Sequence, residues 1–136
     1  MTLAGVGIDV ASVARFRALL SRYGTRFESR WFHPSELSHQ GSRELNLAKS
    51  YAVKEAVWKA LGHDGLGPLL WRDIVTYADG NGSWFGARLE GELADQARAR
   101  GIHSIVASTS VMDDIVVAVA IAERRGLPAT VLLTGP

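Results

Sequence analysis

The stretch Leu45-Asn46-Leu47-Ala48-Lys49-Ser50-Tyr51-Ala52-Val53-Lys54-Glu55-Ala56-Val57-Trp58-Lys59-Ala60-Leu61 is the longest helical signal in the chain. It contains no Gly or Pro, is rich in Ala and Leu, and stops at Gly62. Apolar residues fall nearly all round it, which is the pattern of a largely buried helix rather than a surface one. A helix of that kind needs a layer to pack on, and its flanks supply strands. Residues 1–8 are apolar with Gly5 and Gly7 interleaved and read as a short strand ending at Asp9. From Ser12 the spacing becomes helical: Val13, Phe16, Leu19, Leu20 and Tyr23 share a face, and Gly24 ends the run. A shorter segment at 34–38 opens on Pro34, a residue suited to a helix start.

Beyond the long helix the signals turn to strand. Residues 62–68 hold three glycines and a proline and read as a loop. Residues 74–77 and 86–89 read as strands around Asp79-Gly80-Asn81-Gly82, a strong hairpin signal. Residues 90–100 read as a surface helix. The β-branched runs 102–110 and 115–122 read as two more strands, joined near Met112-Asp113-Asp114. This order gives an α+β fold, an antiparallel sheet drawn mostly from the second half and packed on the long helix. The domain is expected over residues 1–126, with 127–136 a C-terminal tail.

Composition bounds the chemistry. The chain has 136 residues, 47% of them hydrophobic, and a formal net charge of +1. That near-balance argues against a partner held by bulk charge such as nucleic acid. No cysteine is present, which excludes disulfides, thiol catalysis and cysteine metal sites. The longest wholly apolar run, residues 115–122, is far short of the roughly 20 residues of a membrane helix. With no signal peptide pattern at the start, a cytoplasmic location without membrane attachment is expected. His33, His39, His63 and His103 show no paired ligand spacing, and Gly5-x-Gly7 lacks the third glycine of a dinucleotide fingerprint. Twelve of the 15 basic residues are Arg, and the three lysines (Lys49, Lys54, Lys59) lie within eleven positions.

Two carboxylates stand out. Glu55 lies in the middle of the buried-looking helix, where an ionised group is costly unless compensated. Ala48, Ala52, Glu55 and Lys59 form one stripe, whose small residues leave room for a ligand beside the Glu and Lys. The same spacing also suits an ordinary Glu55–Lys59 pair on a solvent-facing stripe. Asp9 ends a strand just ahead of a helix, a place for an N-cap shared with Ser12 or for a metal ligand. Asp9 and Glu55 together are a candidate pair for Mg²⁺, which takes one or two protein carboxylates and leaves its other positions to water and phosphates. Arg15, Arg22 and Arg26, at spacings of seven and four, form a basic face on the first helix.

Gly7-Ile8-Asp9-Val10 followed by Arg15, with Ala52-Val53-Lys54-Glu55-Ala56-Val57-Trp58-Lys59-Ala60-Leu61-Gly62, resembles the two signatures of the holo-[acyl-carrier-protein] synthases, the small single-domain 4′-phosphopantetheinyl transferases. Leu70-Trp71-Arg72-Asp73-Ile74 and the closing strand pair extend a looser similarity over residues 3–123. The resemblance implies that the phosphopantetheine arm of coenzyme A moves to a serine of an apo acyl carrier protein, of fatty-acid or polyketide type, releasing 3′,5′-ADP. It implies Mg²⁺ on Asp9 and Glu55, with Glu55 taking the serine proton directly or through a water. It implies Lys59 at the coenzyme A phosphates, Lys54 as a further contact with the phosphates or the carrier, and Arg15, Arg22 and Arg26 facing the acidic carrier. It also implies the transferase fold and a homotrimer with sites between neighbouring subunits. Three places depart from the family pattern: Ser50 stands where many members have Arg, Ser83-Trp84-Phe85 replaces a Gly-x-Pro turn, and Ser108-Thr109-Ser110-Val111 lacks a histidine at Val111. A relative that only binds coenzyme A or a carrier is the alternative those departures motivate.

Overall fold

The computed structural model describes residues 2–37, 41–62, 71–78 and 84–125. The expected hairpin turn at 79–82, residues 63–68 of the expected loop and the tail 127–136 lie outside them, as do His39 and His63. Five strands form one antiparallel sheet: β1 (Thr2–Ser12), β2 (Ile74–Ala78), β3 (Trp84–Leu89), β4 (Ile102–Met112) and β5 (Ile115–Arg124), in the order β1-β5-β4-β3-β2. The helices are α1 (Val13–Tyr23), α2 (Thr25–Trp31), α3 (Arg43–Ala60) and α4 (Gly91–Ala99), with short 3-10 turns at Pro34–Glu36 and Trp71–Asp73. The α+β class and the antiparallel sheet are as the sequence indicates, and four of the five strands come from the second half.

The main difference at the start of the chain is that β1 does not stop at Asp9. It runs on to Ser12, with Asp9 opposite Ala118 and Ser12 opposite Ile115 on β5. Asp9 therefore caps nothing. Ser12 is the α1 N-cap and accepts from the Arg15 N–H at 3.2 Å. Asp114, from the β4–β5 turn, reinforces it by accepting from the Ala14 N–H at 2.8 Å and from the Ser12 hydroxyl at 2.6 Å. These bonds hold the Asp114 carboxyl below its usual range.

Helix α3 lies against β1 and β5, and small residues make that approach close. Ala118, Ala120 and Ala122 on β5 and Ala52 and Ala56 on α3 are all fully buried. A Cβ built on Gly5 would stand 1.9 Å from the Ala60 carbonyl oxygen, and one on Gly7 would stand 1.8 Å from that of Ala56. Only glycine fits where strand backbone meets helix backbone at that range. Ser42 caps α3 by accepting from the Leu45 N–H at 3.3 Å, and ten of its eighteen residues are buried.

Helix α2 is absent from the sequence reading, in which the first helix ends at Gly24 and no further helix begins before residue 34. That glycine, at φ 55°, does end α1, but the chain turns and resumes as a helix at once. As a result Arg26 does not share a helix with Arg15 and Arg22; it sits on α2. An Arg43–Glu28 ion pair ties α2 to the start of α3. Phe16, Phe27, Trp31, Tyr51 and Trp71 pile together with neighbouring centroids 5.0–6.3 Å apart, joining α1, α2, α3 and the 3-10 turn at 71–73. Phe85 is a core residue of β3 opposite Ala78 and Ala107, so it packs rather than forming part of a tight turn.

Candidate active site

The glycines determine what comes next along β1. Two residues beyond Gly7 on the same face stands Asp9, so the close contact with α3 delivers its carboxylate to the helix. Lys59 Nζ donates to Asp9 Oδ1 at 3.1 Å and to the Ile8 carbonyl at 3.0 Å. The partner of Lys59 is thus a residue 50 positions away rather than Glu55 one turn earlier. Its side chain remains 48% exposed while that of Asp9 is 10% exposed, leaving an accessible cation over a sheltered anion.

Glu55 is half-buried in the same neighbourhood. Desolvation, followed by hydrogen bonding to Asp9 and repulsion from its charge, pushes the Glu55 carboxyl up to about 7; hydrogen bonding to the Tyr51 hydroxyl and the charge of Lys59 pull the other way. Burial, with Glu55 beside it, pushes the Tyr51 phenol up, so it stays a neutral donor. Asp9 Oδ2 is buried with no hydrogen-bond partner. Two adjoining carboxylates, one of whose oxygens has no hydrogen-bond partner, suit a small divalent cation with oxygen ligands. No cluster of three or more His, Cys, Asp or Glu exists among the described residues, so any such ion keeps sites for water and phosphate.

Glu55 and Tyr51 also line a cavity of about 860 Å³ between the end of β1, α1, α2 and α3. Arg15 and Arg26 line it from two different helices, together with Arg30. Arg22 does not line it and stands over the Tyr23 ring at 5.3 Å. Arg30, Trp31 and Tyr51 were not singled out from the sequence. The signal for Arg30 was its spacing of four from Arg26, obscured because the helical reading stopped at Gly24.

Lys54 is elsewhere. Its side chain is 0% exposed, and Nζ donates to Glu36 Oε1 at 2.8 Å and to the carbonyls of Trp71 and Ile74 at 2.8 and 2.5 Å. All three donors of the ammonium are used inside the protein, so the expectation that Lys54 meets the phosphates or the carrier is corrected: it is a structural lysine. Desolvation lowers its pKa, and Glu36 opposes the shift. Glu36 also accepts from the His33 N–H at 2.7 Å and from Thr76 N–H and Oγ1 at 3.1 and 2.6 Å. Ser50 belongs to this buried hub, bonded to Thr76 and, at 3.3 Å, to Glu36. The departure at Ser50 therefore lies in the packing beneath α3 and not at the carboxylate pair.

Fold and site together define a small α+β enzyme with a carboxylate pair and a lysine beside an arginine-lined cavity. Residues 5–120 match the 4′-phosphopantetheinyl transferase superfamily, and the chain belongs to it. Among curated proteins it is 35% identical to the holo-[acyl-carrier-protein] synthase of Burkholderia lata over 98% of this chain and 99% of the relative. It is 34% identical to that of Desulfovibrio desulfuricans over 89% and 98%. The structure superposes on the Neisseria meningitidis holo-[acyl-carrier-protein] synthase with a TM-score of 0.79, at 29% identity over 90% of this chain and all of the other. The Helicobacter pylori enzyme in complex with coenzyme A gives a TM-score of 0.74, at 28% identity over 87% and 99%.

Proposed function

We propose that this chain is a Mg²⁺-dependent holo-[acyl-carrier-protein] synthase. It moves the 4′-phosphopantetheine group of coenzyme A to a serine hydroxyl of an apo acyl carrier protein and releases 3′,5′-ADP. The observation that carries the site assignment is the closeness of Asp9 to Glu55, together with a buried Asp9 oxygen that has no hydrogen-bond partner. Asp9 and Glu55 hold Mg²⁺, and the chemistry Mg²⁺ supplies when bound is neutralisation of charge on the pyrophosphate of coenzyme A. Glu55 takes the proton of the serine hydroxyl, directly or through a water. Lys59, half in solvent above Asp9, reaches the phosphate oxygens as a mobile point charge.

The carrier meets the basic rim formed by Arg15 and Arg26, with Arg22 flanking it and Arg30 added to the set. Complementary charge there sets orientation and encounter rate more than affinity. Copies of the chain meet as a homotrimer on the sheet face away from α3. That reading rests on the exposed Val6, Ile8 and Val10 of β1 and Val106 of β4, apolar residues with no cover in a single chain. The transferase domain is assigned to residues 1–126 and the tail to 127–136. No helix among the described residues is long and apolar enough to cross a membrane, which fits soluble substrates.

Incubation with coenzyme A, Mg²⁺ and a panel of fatty-acid and polyketide apo carriers tests the reading. A phosphopantetheine adduct on at least one carrier is expected, and no adduct on any of them refutes it. Calorimetry separates the binding-only alternative, because a mere binder takes up coenzyme A with the same affinity whether or not Mg²⁺ is present.

A further inference from the structure

Tyr51 lies on α3 one helical turn before Glu55, and both side chains line the same cavity. Its ring is clamped from three sides: edge-on to Phe16 at 5.0 Å, edge-on to Trp31 at 6.0 Å and stacked on Trp71 at 5.5 Å. Those three neighbours come from α1, α2 and the 3-10 turn at 71–73, so the ring orientation is fixed by tertiary packing and not by α3 alone. A ring so held gives its hydroxyl one bearing, on the cavity wall it shares with Glu55 one turn further along α3. A carboxylate by itself is poorly fixed, because its terminal torsion is broad and roughly two-fold. A donor on a rigid platform narrows that torsion, as partners behind metal ligands and catalytic bases commonly do.

We propose that Tyr51 is a positioning residue for the transfer: its hydroxyl donates a hydrogen bond to Glu55 and holds that carboxylate toward Asp9 at the cavity wall. The role rests on the assignment of Glu55 made above. It also gives the aromatic pile a function, since Phe16, Trp31 and Trp71 set the direction of one hydroxyl as well as filling the core.

Tyr51→Phe keeps the ring and removes only the hydroxyl. The expected result is a melting temperature and KM values for coenzyme A and carrier near those of the wild type, with kcat reduced about tenfold. Calorimetric titration of Mg²⁺ into the coenzyme A complex without carrier should show affinity weakened about tenfold as well. Tyr51→Leu, which also removes the platform, should lower the melting temperature where Tyr51→Phe does not. Mg²⁺ affinity and kcat both within about twofold of wild type in Tyr51→Phe would overturn the proposal. So would a loss of stability in Tyr51→Phe equal to that in Tyr51→Leu, which would make the hydroxyl merely structural. A wild-type protein that binds Mg²⁺ yet makes no holo-carrier refutes the functional reading instead, and the metal titration then still decides the role of Tyr51.

Discussion

Lys54 and Lys59 stand five positions apart on one helix and end in opposite environments. Lys54 is enclosed with Glu36, whereas Lys59 keeps half its side chain in solvent over Asp9. Their substitutions should therefore separate. Lys54→Met leaves Glu36 buried without its counter-charge and should cost about 3–5 kcal/mol of stability, read by chemical denaturation. Lys59→Ala should leave the fold nearly unchanged and lower kcat/KM for coenzyme A. Glu55 supplies a pH dependence whose sign is fixed. Its folded pKa of about 7 lies above the ordinary carboxyl value of 4.5, so in that range the folded protein holds a proton that the unfolded chain releases. Glu55 thus favours folding at low pH, and that contribution is lost as pH rises from about 4.5 through about 7. Melting curves should show a stability difference between wild type and Glu55→Gln that shifts against the wild type across this window. Mg²⁺ should stabilise the wild type more at pH 8 than at pH 5.5, since proton and metal compete for one carboxylate. A melting difference flat in pH would contradict the assignment.

At the level of elements, the contact of β1 with α3 places the site. Gly7→Ala puts a Cβ against the Ala56 carbonyl, and backbone on both sides leaves it no side chain to displace. The strand must move, taking Asp9 from Glu55, so this variant should lose both thermal stability and turnover. Ala11→Gly, further along the strand, should lose stability without comparable loss of activity. Much at this level was legible in sequence. The long helix over 45–61, the strand pair over 102–110 and 115–122 and the surface helix over 90–100 carry local periodicity strong enough to survive folding. What was not legible depends on distant partners. Glycines at 5 and 7 read locally as nothing in particular, because their reason is a helix backbone some 50 positions later. Strand β1 passes Asp9 because β5 continues to pair with it, a register no local pattern reveals. Helix α2 was missed because Gly24 is a valid helix stop that the chain follows immediately with another helix.

For the molecule as a whole, the sheet has two faces of different character. One is covered by α3, and on the other Val6, Ile8 and Val10 are each about half exposed. Val6→Glu places a charge on that uncovered face and should convert the expected three-chain assembly to smaller species in light scattering; a wild type that runs as a single chain would contradict the trimer. The candidate site was legible as a pair of residues, Asp9 and Glu55, since carboxylates in apolar surroundings are visible as exceptions. The division of labour between the lysines was not, because Lys54 and Lys59 differ only in which neighbours the fold gives them. The arginine rim was legible in part, through Arg15 and Arg26. The central claim is that Asp9 and Glu55 act together with Mg²⁺ in moving phosphopantetheine. It is tested most directly by intact-mass measurement of an apo carrier after incubation with coenzyme A and wild type, Asp9→Ala or Glu55→Ala, each with Mg²⁺ or with EDTA. The account predicts the phosphopantetheine mass increment only for the wild type with Mg²⁺. An increment of similar yield in either variant, or in the wild type with EDTA, would contradict it.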